Sequence, residues 1–305
     1  MNTKEIFKVL PKNLNNQLSN INNLDKLQEI RIKIGKPLLF QVDNKEVSSS
    51  YIVNIKDMTS IMQRMSNYSM YTFEEEIKQG YITINGGHRV GICGRCIIDG
   101  GKVKTIKNIG SLNIRICRQV LGCSKDIMNF IVKNQEVINT IIISPPKCGK
   151  TTILRDIVKN LSTGVKNSNF KGKKVCVIDE RSEIAASFNG VPQLDIGYRT
   201  DVMDNCPKSE GIIMAIRSMA PDVIVCDEIG TYKDMESILC ALNSGVNLIT
   251  TIHGFGIEDL YKRPVFKDIV ENNVFKRAVV LSSRKGVGTL EYIYDFNRKE
   301  KIWGA

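Results

Sequence analysis

Nowhere in this 305-residue chain do five or six lysines or arginines stand together, although the net charge is +11. Such a run would read as a tail for nucleic acid or an anionic surface. Here the basic residues are scattered, and a solvated basic surface fits them as well as a binding groove does. Aromatic residues interleaved with the basic ones are also missing. The single tryptophan is Trp303, near the end of the chain. That leaves no visible platform on which the bases of a single strand could stack. A secretory leader is missing too. Met1-Asn2-Thr3-Lys4-Glu5 runs into a polar, Asn-rich segment.

The nine cysteines form no repeating framework. Several lie in apolar runs, such as Val175-Cys176-Val177, where a reduced thiol acts as a small hydrophobe. That usage suits a reducing compartment. Cys93-Gly94-Arg95-Cys96 is a lone C-x-x-C with only His88 nearby, short of the four ligands a structural zinc needs. Ser237–Ile257 has no charged residue and is long enough to span a bilayer. It holds Asn243, Ser244, Gly245, Asn247 and Thr250, so a helix, a turn and a buried strand fit it better. The expectation is a cytosolic protein whose membrane contact, if any, is peripheral.

Hydrophobic residues at 42% and charged residues at 25% are those of a soluble globular protein long enough for two domains. The first part reads as a small α+β domain, residues 1–118. Glu29–Ile34 alternates with period two, and Leu38–Val42 makes a second strand. Lys56–Met65 reads as a helix. Thr72-Phe73-Glu74-Glu75 reads as a capping box opening a short helix that Gly80 stops. Tyr81–Ile84 and His88–Gly94 flank the turn Asn85-Gly86, and Asp99-Gly100 marks a second hairpin. Arg89, Arg95, Arg115 and Arg118 fall on or beside these strands. Singly they are surface residues. As a group they could face a phosphate across a domain or subunit boundary.

Residues 119–305 change to apolar strands alternating with helices. Val137–Ile143, Lys174–Ile178, Asp222–Cys226, Val246–Ile252 and Ala278–Ser282 are the strand candidates. That alternation predicts an α/β fold with a mostly parallel sheet covered on both faces. Ligands then sit at the carboxyl ends of the strands.

The first of these strands runs into Ser144-Pro145-Pro146-Lys147-Cys148-Gly149-Lys150-Thr151-Thr152, followed by an amphipathic helix. Strand, tight loop and helix are the setting in which Gly-Lys-Thr binds a nucleotide phosphate. The loop's N–H groups and the helix N-terminus are anion donors. Lys150 can reach the β- and γ-phosphates, and the Thr151 hydroxyl can hold Mg²⁺. Ser144 stands where the first glycine of the full pattern belongs. Serine serves there if its φ is not strongly positive.

Three further strands end in polar residues. Val175–Ile178 runs into Asp179-Glu180-Arg181-Ser182-Glu183, Val223–Cys226 into Asp227-Glu228, and Leu248–Ile252 into His253-Gly254. An apolar strand ending in Asp-Glu, roughly 80 residues past a Gly-Lys-Thr loop, supplies what ATP hydrolysis needs. Asp227 would hold Mg²⁺ through water, and Glu228 would orient or deprotonate the attacking water. His253 would sense the γ-phosphate from the next strand end.

This order of motifs resembles the secretion and pilus-motor ATPases, which are hexameric RecA-like enzymes. The run Asp179-Glu180-Arg181-Ser182-Glu183-Ile184-Ala185, then Gly190-Val191-Pro192-Gln193, Arg199-Thr200-Asp201-Val202 and Ile216-Arg217-Ser218-Met219, is similar to the sporulation stage III AA family of endospore-forming bacteria. Glu29-Ile30-Arg31-Ile32 and Asn113-Ile114-Arg115-Ile116 extend the likeness over nearly the whole chain. The resemblance implies an ATP- and Mg²⁺-dependent motor, a homo-hexamer in the mother-cell cytoplasm. It would be docked on membrane components of a secretion-like channel to the forespore. Two departures stand out. Ser144 and Lys147 replace residues that are commonly glycine, and Asp179-Glu180 stands where pilus motors carry Glu-Asp. The general base is therefore open among Glu228, Glu180 and Asp179, with Glu228 favoured by chemistry. Arg217 and Arg199 are the candidates for a γ-phosphate or interface contact. A nucleic-acid translocase is the alternative; Gly91-Ile92-Cys93-Gly94 is a G-x-x-G, but it reads as strand. A non-hydrolysing, nucleotide-gated scaffold is the third reading.

Overall fold

A computed structural model describes residues 4–66, 74–165, 169–266, 270 and 272–304. The chain divides into two compact units, Met1–Arg118 with Ala186–Leu194, and Gln119–Ala185 with Asp195–Ala305.

In the first unit, helices α1 (Lys4–Val9) and α2 (Lys12–Ser19) precede strands β1 (Leu27–Lys33), β2 (Pro37–Val42) and β3 (Lys45–Ile52). Helices α3 (Ile55–Met65) and α4 (Glu74–Lys78) lead to β4 (Tyr81–Ile84), β5 (His88–Asp99) and β6 (Lys102–Arg115). The strands form one antiparallel sheet in the order β3-β2-β1-β6-β5-β4. Alternation sends Ile30, Ile32, Val90, Ile92, Leu112 and Ile114 into a core shared with Leu14 and Ile61. Asn54 and Asp57 form a reciprocal capping box that starts α3. Gly80, at φ +81, follows α4 as expected, whereas Thr72 and Phe73 of the expected capping box lie outside the described residues. The Asp99-Gly100 hairpin turns with positive φ at Gly100 and Gly101. Strand β3 is too polar for its pattern to signal burial, and the sequence did not suggest it.

The four arginines of these strands differ in their surroundings. Arg89 pairs in register with Arg115 across β5 and β6, and its guanidinium stacks 3.5 Å from the Tyr81 ring centroid. Arg95 opposes Lys107. Arg118 donates from Nη2 to the Leu27 carbonyl at 2.5 Å.

The second unit opens with α5 (Lys125–Ile131) and a two-residue hairpin, β7 (Val132–Lys133) with β8 (Glu136–Val137). Then come β9 (Thr140–Ser144), α6 (Lys150–Thr163), β10 (Val175–Asp179), β11 (Thr200–Asp204) and α7 (Lys208–Ser218). Next are β12 (Val223–Cys226), α8 (Tyr232–Asn243), β13 (Asn247–His253) and α9 (Glu258–Tyr261). Strands β14 (Arg277–Ser282), β15 (Thr289–Asp295) and β16 (Glu300–Gly304) close the chain. The sheet order is β11-β10-β12-β13-β9-β14-β15-β16, parallel from β11 to β14 and antiparallel beyond. Its central strands bury both faces. Ile141 and Ile143 join one core with Ile178, Ile224 and Leu248, while Ile142 joins another with Val177, Val225 and Ile249. Helices α7 and α8 cover the first core, and α5 and α6 the second. The fold is α/β with a mostly parallel sheet, together with a separate antiparallel α+β unit.

One expected strand is split. Val137 belongs to β8, and β9 starts at Thr140. Asn134 and Gln135 take positive φ and reverse the chain just before it. Asn139 Oδ1 then accepts the Leu248 N–H at 3.0 Å, which fixes the register of β9 beside β13.

Candidate nucleotide site

Strand β9 delivers Ser144 to the end of the sheet, paired with His253 of β13. The Ser144 carbonyl accepts the Gly254 N–H at 3.1 Å. Ser144 keeps a negative φ, so a glycine is not needed there. Lys147 and Gly149 do take the left-handed region, at φ +62 and +81. A Cβ on Gly149 would lie 2.9 Å from Val287 Cγ1, so this position requires glycine for space as well as for conformation. Helix α6 begins at the next residue. Its first N–H groups have no carbonyl to reach and face the loop, an anion cradle by construction.

Two chains of charged groups meet here. Lys150 is buried, and its Nζ lies 3.2 Å from His253 Nδ1. His253 Nε2 lies 2.9 Å from Glu228 Oε1. A lysine ammonium can only donate, so Nδ1 accepts and Nε2 carries the proton that Glu228 receives. Burial lowers the Lys150 pKa, opposed by the charges of Glu228, Asp227 and Glu183. The backbone N–H of Glu228 donates to Thr251 Oγ1 at 3.0 Å, which fixes the strand end below its carboxylate.

The second chain runs through Lys208, the first residue of α7. Lys208 Nζ donates to Glu180 Oε2 and lies 3.7 Å from Asp227 Oδ1. Desolvation pulls the Lys208 pKa down, but the hydrogen bond to Glu180 and the charges of Asp227 and Glu180 outweigh it and leave it raised. Burial raises Asp227, partly offset by Lys208. Asp227 Oδ1 is buried and has no hydrogen-bond donor of its own.

A pocket of about 310 Å³ is lined by Lys150, Thr151, Arg181, Glu183, Asp227 and Glu228 among others. Asp227 and Thr151 both line that pocket. This donor set fits Mg²⁺, which takes one or two protein oxygens and completes its shell with water and phosphate. No trio of His, Cys, Asp or Glu among the described residues would hold a metal ion alone.

The model of the family described as Sporulation stage III, protein AA matches residues 1–302. The chain belongs to that family. Stage III sporulation protein AA of Bacillus subtilis (strain 168) is 46% identical over 293 residues, covering 95% of this chain and 94% of that one. Among solved structures, the X-ray structure of the Legionella pneumophila ATPase DotB superposes with a TM-score of 0.58 at 16% identity, over 89% of this chain and 77% of that one. The pilus retraction motor PilT with bound ADP gives 0.57 at 14%, over 83% and 74%. These likenesses establish a shared fold. Among the described residues, no helix is long and apolar enough to cross a membrane.

Not every residue singled out in this family member gathers at the phosphate loop. Asp179 is fully buried beneath the following turn. Its Oδ1 accepts the Glu183 N–H at 2.8 Å, and its Oδ2 accepts those of Ile184 and Ala185 at 3.0 and 2.9 Å. Burial pushes its pKa up to about 6 against those three donors. Its geometry is that of a turn-former, and it does not line the pocket. Glu180 is turned to Lys208 and does not line the pocket. Arg217 is exposed on the last turn of α7, nine residues from Lys208, roughly 13 Å along the helix. Arg199 donates from Nη1 to the Ser162 carbonyl at 2.7 Å, at the far end of α6. Lys208, Arg181 and Glu183 are the site residues to which sequence reasoning gives no role. Arg181 and Glu183 stand within the run Asp179-Glu180-Arg181-Ser182-Glu183. Lys208 follows Pro207 at a helix start and carries no motif signal.

Proposed function

We propose that this chain hydrolyses ATP, and that a ring of copies uses the reaction to drive a secretion-like channel during sporulation. The observation that carries the reading is the Lys150–His253–Glu228 string directly beside the phosphate loop. It couples the residue that would meet the phosphates to the carboxylate that would meet water. Lys150 and the α6 N–H groups bind the β- and γ-phosphates. When Lys150 swings from His253 to phosphate, His253 Nδ1 loses its donor, and the ring is free to reorient toward the γ-phosphate. Glu228 then holds the attacking water and takes its proton. Thr151 and Asp227 would hold Mg²⁺, which would supply charge neutralisation on the phosphate oxygens. Asp179 and Glu180 support the site from behind. Glu228, which lines the pocket, is the base we favour.

The finer reading is a homo-hexamer at the mother-cell side of the channel, peripheral to the membrane and docked on its membrane components. Family membership supports the sporulation context, and the fold shared with DotB and PilT supports the ring. Arg217 is exposed and away from its own chain's pocket, so a phosphate role for it would be in a neighbouring copy.

The test is Mg²⁺-dependent ATP hydrolysis by the purified protein, with and without single-stranded nucleic acid. Turnover that rises with protein concentration, ignores nucleic acid and vanishes in Lys150→Ala and Glu228→Gln supports the motor. Wild-type turnover in either variant sinks the assignment. Strong stimulation by nucleic acid promotes a translocase instead.

A further inference from the structure

Lys208 is placed where a lysine is disfavoured twice. It is 8% exposed, and it opens a helix, the end at which the dipole opposes a positive charge. Two carboxylates from two different strand ends hold it there. Glu180 follows β10, Asp227 follows β12, and Lys208 spans them. The consequences for the two differ. Asp227 lines the phosphate pocket; Glu180 does not. Glu183 and Glu228 line it as well, so the pocket already carries three carboxylates against Lys150, Lys147 and Arg181. Glu180 is the chain neighbour of Arg181, which lines the pocket, and its carboxylate is bonded aside by Lys208.

We propose that Lys208 is a positioning residue that draws Glu180 out of the phosphate pocket and balances Asp227 inside it, so that the acidic strand ends remain compatible with a bound polyphosphate. This rests on the nucleotide reading above. It differs from a purely structural ion pair in what it demands of Glu180. A structural pair loses stability when either partner is removed. A positioning pair loses affinity for the anion when the lysine is removed, and regains it when the released carboxylate is neutralised.

The experiment titrates a fluorescent ATP analogue, with Mg²⁺ and with EDTA, against wild type, Lys208→Met, Lys208→Arg and the double variant Lys208→Met/Glu180→Gln. Thermal unfolding confirms that each is folded. Lys208→Met is expected to weaken binding about tenfold or more in both conditions, the scale of one uncompensated charge beside a phosphate. Lys208→Arg retains most of the affinity, and the double variant recovers at least half of the loss on a logarithmic scale. If Lys208→Met does not fold, Lys208→Gln, which removes the charge but keeps a polar end at the buried position, takes its place; it must show a loss that Glu180→Gln relieves. Wild-type affinity in the charge-removed variant, or a loss that Glu180→Gln leaves untouched, overturns the proposal while the nucleotide reading stands. A wild-type chain that binds no nucleotide overturns both.

Discussion

The ammonium of Lys150 and the imidazole of His253 meet at 3.2 Å, joining the first residue of α6 to the last residue of β13. The same imidazole reaches Glu228 at 2.9 Å. Each of the three comes from a different strand–helix junction, so the contact exists only because β9, β12 and β13 are neighbours in the sheet. In the proposed mechanism His253 relays between phosphate and base. His253→Ala is therefore expected to keep ATP affinity within about threefold, while turnover falls roughly tenfold to a hundredfold, the range of one acid–base contact. Steady-state hydrolysis beside a nucleotide titration reads the split. Unchanged turnover would remove His253 from the mechanism.

The phosphate loop makes opposite demands at two neighbouring positions. Gly149 has φ +81 and no room for a Cβ, whereas Lys147 tolerates φ +62 with its side chain in solvent. Gly149→Ala should distort the loop and abolish measurable nucleotide binding. Lys147→Gly should relieve about 1 kcal/mol of left-handed strain, less the entropy glycine adds to the unfolded chain. Its nucleotide affinity should be unchanged or tighter. A weakening beyond about threefold would mean that the Lys147 charge matters more than its backbone.

Much of this could be read from residues alone, and the reasons are physical. The central strands bury both faces, so they appear as unbroken apolar runs, and each ends where the chain meets polar chemistry. That is why the phosphate loop, Asp227-Glu228 and His253 were legible. What escaped was decided by long-range packing. The edge strands β3, β11 and β16 are polar on their open sides. The Ala186–Leu194 segment joins the first unit although it sits in the middle of the second unit's sequence. Asp179 has the look of a catalytic acid because it ends a strand, and only the three N–H groups folded over it reveal its other use. Lys208 has no neighbours in sequence that hint at its partners, which are 28 and 19 residues away.

Arg199 and Arg217, both candidates for a phosphate or interface contact from sequence, should separate experimentally. Arg199 binds the end of α6 through Ser162, so Arg199→Ala should cost about 1–2 kcal/mol of stability in urea unfolding. Arg217 is an exposed helix-end residue, and Arg217→Ala should change stability by no more than about 0.5 kcal/mol. If copies share a site, Arg217→Ala lowers turnover without touching stability. Mixing it with Lys150→Ala protein then restores some activity, because each copy supplies what the other lacks. No restoration in the mixture would confine Arg217 to the surface of its own chain.

Asp179 allows a pH test with a defined sign. Its folded pKa, about 6, is raised above the ordinary value of 3.8 by burial. The folded state thus holds a proton that the unfolded state releases between about pH 4 and 6. Stability from this group is fully present below about pH 4 and is lost as pH rises through 6, by at most about 3 kcal/mol. Asp179→Asn has no such titration. It also offers one oxygen where the carboxylate offers two, leaving the Glu183 N–H facing an amide donor, at about 1–3 kcal/mol. Urea unfolding should therefore find Asp179→Asn less stable than wild type at pH 5, with the gap narrowing by pH 8 as only the wild type loses its proton. A gap that stays constant from pH 5 to 8 would mean that the three backbone donors outweigh burial and that the carboxylate is ionised throughout.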